Sequence, residues 1–131
     1  MSLEPYRLKG DHNPRLFVDI DDTLIFWKRT GDGRLGLYDS WEVNAMVFEA
    51  VKRFKEKYPD GTLIFWSTGG ANYARNWVTE AAPELLYERA TFLSKYPALP
   101  FDGDTFIDDD PANFPWKKLA IHPRNTDALF R

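Results

Sequence analysis

No cysteine occurs in this chain. Disulfides, thiolate metal sites and a cysteine nucleophile are therefore excluded. Histidine is almost as scarce: His12 and His122 are the only two. They are far apart without ligand spacing, so both are expected on the surface or in loops. No apolar run approaches the length of a membrane span. The first residues also lack the apolar region of a signal peptide. A net charge of −3 supplies no global drive toward nucleic acid or an anionic membrane, although a local basic patch is compatible with it. There is no internal repeat, low-complexity tract or linker. A chain of 131 residues, 44% of them hydrophobic, has the length and core-forming content of one domain. The expectation is a soluble, cytoplasmic, single-domain protein spanning residues 1–131.

Against these absences stands one dense segment, Leu16-Phe17-Val18-Asp19-Ile20-Asp21-Asp22-Thr23-Leu24-Ile25. The apolar run is what a fully buried parallel strand looks like. Asp19, Asp21 and Asp22 then fall at or just past its carboxyl end, where open α/β sheets place their ligands. Carboxylates this close resist sharing ionisation, and a divalent cation resolves that conflict.

The rest of the chain repeats the pattern. A strand is expected over 16–19, with Asp11, Asn13 and Pro14 before it. A short strand over 24–27, the turn Thr30-Gly31-Asp32-Gly33 and a return strand over 35–38 predict a small hairpin. Val47, Phe48, Val51 and Phe54 recur at helical spacing, predicting a helix from about 43 or 44 to 58. Pro59-Asp60-Gly61 stops it. Further strands are expected over 62–66, 91–93, 104–107 and 119–121, with a second helix over 71–79 and Pro83 as its breaker. Alternating strands and helices predict an α/β fold: a three-layer, Rossmann-like parallel sheet with right-handed crossovers and a small hairpin flap after strand one. Four strands then end in reactive residues on one side of the sheet: Asp19 and Asp21, Ser67 or Thr68, Lys95, and Asp108 with Asp109.

This inventory suits phosphoryl transfer, which needs charge neutralisation, an in-line nucleophile and a proton for the leaving oxygen. One Asp can be the nucleophile and a second the general acid and base. Lys95 and Ser67 can hold phosphate oxygens. Backbone N–H groups around Ile20, Asp21, Asp22 and Thr23 can form an anion nest. An oxygen-only cluster favours Mg²⁺ over zinc or copper.

These residues resemble the phosphatases of the haloacid dehalogenase superfamily. Asp19-Ile20-Asp21-Asp22-Thr23 matches the family's Asp-x-Asp-x-Thr motif. Leu63-Ile64-Phe65-Trp66-Ser67 matches the hydroxyl-bearing strand end, Lys95 the downstream lysine, and Phe106-Ile107-Asp108-Asp109 the acidic pair. All four occur in family order and span most of the chain. The resemblance implies a Mg²⁺-dependent phosphate monoester hydrolase working through an aspartyl phosphate. Asp19 would be nucleophile and metal ligand. Asp21 would be general acid/base, its carbonyl also on the metal. Thr23 would brace the turn, Ser67 (with Thr68 beside it) would bind the phosphoryl group, and Lys95 would balance charge. Asp108 would ligate Mg²⁺, with Asp109 acting through water or beyond the direct ligands. The short gaps between motifs imply a capless, C0-like member without a large cap domain. In the family such open sites serve large substrates or are closed by a neighbouring subunit, so both macromolecular substrates and a homo-oligomer are compatible.

Blander readings compete at each position. Turn chemistry alone accounts for Asp22 and Asp110. Exposed lysine is ordinary, which bears on Lys95. The hairpin residues Trp27, Lys28, Arg29, Arg34 and Tyr38 would select an anionic, aromatic or extended substrate, or would simply be a solvated turn. Three rival functions compete with this reading. A receiver domain has similar residues but in another order. A degenerate phosphate-binding module would not be expected to keep every catalytic position filled. A nucleic-acid 3′-phosphatase shares the chemistry, but there is no long basic stripe.

Overall fold

The computed structural model describes residues 14–28, 40–88, 90–95, 105–109 and 120–126. Its centre is a five-stranded sheet built from β1 (Arg15–Asp19), β4 (Thr62–Ser67), β5 (Thr91–Ser94), β6 (Thr105–Ile107) and β7 (Ala120–Ile121). Every neighbouring pair runs parallel, in the spatial order β5-β4-β1-β6-β7. The chain therefore steps outward from β1 to β4 and β5, then returns to the other side of β1 for β6 and β7. That reversal makes the carboxyl ends of β1 and β6 a topological switch point, the customary ligand crevice of doubly wound sheets.

Side-chain alternation gives β1 two buried faces. Leu16 and Val18 join Leu63, Phe65 and Ile107 in the larger core cluster. Phe17 faces the other way, among Ile64, Trp66 and Phe106. Its ring centroid lies 4.6 Å from that of Trp66 and 4.9 Å from that of Phe106.

Two helices contribute to the larger cluster. In α1 (Ala45–Lys57) the buried residues Val47, Ala50, Val51 and Phe54 follow the helical repeat. Burying each of the larger ones contributes about 1.5–3 kcal/mol. In α2 (Ala71–Ala81) Ala74 and Val78 do the same, and a 3₁₀ turn, Pro83–Leu85, follows it. No helix among the described residues is long and apolar enough to cross a membrane.

A hairpin base is formed by β2 (Ile25–Lys28) and β3 (Ser40–Val43), antiparallel, with Trp27 opposite Trp41 and Lys28 opposite Ser40. The expected turn and the return strand over 35–38 lie outside the described residues. Within them, the returning strand begins at Ser40. Aromatic packing anchors this base of the hairpin. The Trp77 ring on α2 meets Trp27 at 5.0 Å and Trp41 at 5.3 Å, both edge-on.

Candidate functional site

Asp19 is the last residue of β1, and its register partner on β4 is Trp66. It is buried, and both of its carboxylate oxygens have partners. The Thr23 hydroxyl donates to Oδ2 at 3.1 Å, and Lys95 Nζ approaches Oδ1 at 3.5 Å. Thr23 reaches back because the intervening loop curls tightly. The Ile20 carbonyl accepts from the N–H groups of Thr23, Leu24 and Ile25 at 3.0–3.2 Å. Asp22 supplies the turn with φ of +58°, a left-handed conformation that Asp tolerates better than most residues.

Asn44 secures the same loop from outside. It caps α1 by accepting from Met46 N–H at 3.0 Å. Its amide donates to the Thr23 carbonyl at 3.0 Å, and its backbone N–H donates to Leu24 at 2.8 Å. An Asn ahead of an apolar helical repeat signals a cap. Nothing in the sequence signals the second bond.

Asp21 is half-buried and points elsewhere than Asp19. Its Oδ1 accepts two hydrogen bonds, from the Trp27 indole N–H at 2.8 Å and from the Tyr73 hydroxyl at 2.7 Å. Tyr73 reaches it because of two glycines. Gly70 has φ of +105°, where a side chain would be strained. A Cβ on Gly69 would lie 2.9 Å from Tyr73 Cγ, so only glycine leaves room for the ring. Burial first, then the bond to Asp21 and its charge, push the Tyr73 hydroxyl up to about 12, which keeps it a donor.

Ser67 ends β4 and is buried, whereas its neighbour Thr68 is exposed. Ser67 Oγ accepts from Gly69 N–H at 2.9 Å. Its own hydroxyl hydrogen has no acceptor among the described residues. The Ser67 carbonyl takes the backbone N–H of Lys95 at 2.8 Å, which ties the end of β5 to that of β4. From there the Lys95 side chain passes Trp66, with Nζ 5.8 Å from the ring centroid. It ends at Asp108 Oδ2, 2.5 Å away. Lys95 and Asp108 are both buried, so the surface-lysine reading does not apply.

One oxygen each from Asp19, Asp108 and Asp109 fits within a 4.8 Å span, with Asp19 and Asp108 buried and Asp109 exposed. Burial pushes the Asp19 carboxyl up to about 8, with Lys95 opposing and Asp108 and Asp109 adding to the rise. Burial also raises Asp109, with Asp108 reinforcing it. Burial lowers Lys95, but the charges of Asp19 and Asp108 more than offset that and raise it overall. Among the described residues three acids gather around one ammonium, and the donor set is all oxygen. That is the chemistry a hard divalent cation fits.

Beside this centre lies a groove of about 440 Å³. It begins at Asp22 and Asp109 and runs between the hairpin and the segment after β7, past Phe26, Lys28 and Arg124. The Arg124 guanidinium sits 5.0 Å from the Phe26 ring centroid. Lys28 pairs across the hairpin with Glu42 at 2.8 Å. The sequence did not single out Arg124, and His122, expected on the surface, is exposed and lines this groove. Trp27 also lines it, but its N–H is committed to Asp21. Arg29, Arg34, Tyr38 and Asp110 lie outside the described residues.

No protein-family model, curated protein or solved structure matches the chain.

Proposed function

We propose that this chain is a Mg²⁺-dependent phosphohydrolase of the haloacid dehalogenase type, cleaving a phosphate monoester through an aspartyl phosphate. The observation carrying the reading is the convergence at the switch point. Asp19, Lys95 and Asp108 come from three different strand ends and meet through one buried ammonium. Structural salt bridges rarely justify burying so much like charge, whereas perturbed, clustered acids are typical of catalytic sites. The strand order supports a Rossmann-like assignment. The buried cluster of Phe17, Ile64, Trp66 and Phe106 on the second sheet face supports the third layer. The receiver-like alternative is disfavoured by residue order, since Lys95 precedes Asp108 and Asp109.

In this reading an Asp19 oxygen attacks phosphorus and the ester P–O bond breaks toward the leaving oxygen, which takes a proton from Asp21. Water then attacks the phosphoenzyme, returns a proton to Asp21 and releases phosphate and Asp19. Ser67 offers its free hydroxyl hydrogen to a phosphoryl oxygen, and Lys95 neutralises charge from the other side. Asp19, Asp108 and Asp109 would hold the cation, which supplies charge neutralisation at the transferring group. The leaving group occupies the groove past Phe26 and Arg124. Glu42 also lines the groove and pairs with Lys28, so Arg124 is the side chain there that suits an ester whose alcohol carries a further anionic group, from small metabolites to a nucleic-acid 3′ end.

The test is turnover of aryl phosphate, phosphorylated metabolites and 3′-phosphate oligonucleotides by purified protein, with Mg²⁺ and with chelator. Mg²⁺-dependent phosphate release, lost in Asp19→Asn and in Asp108→Ala, is expected. Turnover that survives chelator, or no turnover across the panel, would sink the reading.

A further inference from the structure

Resting on the phosphohydrolase reading, we propose that Trp27 and Tyr73 are positioning residues for Asp21 that decide which of its two oxygens exchanges the proton. Both donors converge on the same atom, Oδ1, at 2.8 and 2.7 Å. No described residue donates to Oδ2. A carboxyl oxygen that accepts two hydrogen bonds has both lone pairs engaged and is the carbonyl oxygen of the protonated group. The transferable proton therefore resides on Oδ2, and the carboxyl plane is fixed by two anchors rather than left to rotate.

The anchors belong to separate elements. Trp27 is on β2 and Tyr73 on α2. Trp77 packs edge-on against the rings of both, at 5.0 Å and 6.5 Å. Seating the hairpin on α2 thus also aims Asp21. The plainer alternative is that these bonds only satisfy a half-buried carboxylate and pin the hairpin in place. The two accounts differ in what happens to the chemistry. The leaving oxygen of an alkyl ester needs the proton of Asp21 far more than does that of a nitrophenyl ester. Positioning therefore acts on the first, and mere scaffolding acts on both alike.

Tyr73→Phe and Trp27→Phe remove one donor each and keep a ring. In each, kcat for an alkyl phosphate should fall at least about tenfold more than kcat for nitrophenyl phosphate, within the range that general acids contribute. KM should change little. Gly69→Ala retains every donor but sets a methyl 2.9 Å from Tyr73 Cγ. It should reproduce the Tyr73→Phe pattern if the position of the phenol is what matters. A second readout does not depend on turnover. In ¹H–¹⁵N spectra the Trp27 indole resonance should shift in Asp21→Asn and in Tyr73→Phe. An unmoved indole in Asp21→Asn would overturn the bond itself. Unchanged leaving-group dependence in active, folded variants would overturn positioning while leaving the hydrolase intact. A wild-type protein without phosphatase activity would overturn the hydrolase reading and the proton assignment with it.

Discussion

Lys95 Nζ lies 2.5 Å from Asp108 Oδ2, although β4 and β1 stand between the strands that carry them. The lysine leaves the end of β5, crosses the Trp66 ring and closes the site from the far side. Its ammonium is the one cation shown within 4 Å of either Asp19 or Asp108 among the described residues.

Removing that cation should therefore be costly twice over. Lys95→Met keeps the stem and deletes the charge; below about pH 8 Asp19 holds a proton in the metal-free protein, so Asp108 is the buried acid that loses its ammonium contact. Breaking a buried pair from one side costs about 3–5 kcal/mol, so chemical denaturation in chelator should show a loss of that order. Saturating Mg²⁺ should recover part of it. Turnover should fall about 10²–10³-fold, as on losing an oxyanion donor. A variant as stable as wild type in chelator would contradict the buried-pair account.

Asp19→Asn should abolish turnover and yet not weaken the metal-free protein at pH 8. The sign follows from linkage. The Asp19 carboxyl is pushed up from 3.8 to about 8, chiefly by burial. Between those values the native state holds a proton that the unfolded chain has lost. Stability contributed by this group is thus complete below pH 3.8 and declines as pH rises toward 8. Melting temperatures in chelator should show wild type losing ground to Asp19→Asn across that window. Added Mg²⁺ should stabilise wild type most at its upper end. Parallel curves for the two proteins would remove the basis for this assignment.

Asn44 offers a test of the loop that carries the acids. Asn44→Ala deletes a helix cap, worth about 1 kcal/mol, and the donor to Thr23 as well. A stability loss of about 1–3 kcal/mol is expected from the cap and the orphaned carbonyl together. Turnover should fall more than in a cap deletion elsewhere, because Thr23 orients Asp19. Equal kcat in wild type and variant would show that Thr23 is held by the curl of the loop alone.

Selectivity is expected from Arg124. In Arg124→Ala, kcat/KM for esters with an anionic alcohol should drop about tenfold more than for nitrophenyl phosphate, the scale of one charge-assisted hydrogen bond. Competition assays between the two ester types would measure the ratio directly. An unaltered ratio would move recognition out of this groove.

The acids and strands were legible because each sits in a local pattern. Leu16-Phe17-Val18 announces a buried strand, and Asp19 follows it directly. Thr62–Ser67 and Thr105–Ile107 follow the same logic. The Asp21 anchors were not legible. Tyr73 lies 52 residues from Asp21 and reaches it through the turn at Gly69 and Gly70. Trp27 is legible as a ring beside the site, and it does line the groove, but periodicity carries no sign that its N–H is also committed to Asp21. Arg124 escaped notice because a lone arginine in a loop carries no spacing signal. Its place beside Phe26 arises only once β7 pairs with β6.

The middle position of β1 in the sheet has a consequence for how the chain matures. Asp19 is separated by 76 residues from the lysine that balances it, and Asp108 is later still. Loop closure over such separations comes late in folding, and parallel sheets built from distant strands assemble slowly. A nascent or C-terminally truncated chain that ends before β6 would carry the Asp-x-Asp-x-Thr loop and Lys95 without the acidic partners Asp108 and Asp109. Such a chain should neither gather a cation nor take up a phosphoryl group. Assembly of the acidic cluster is thereby tied by topology to completion of the sheet.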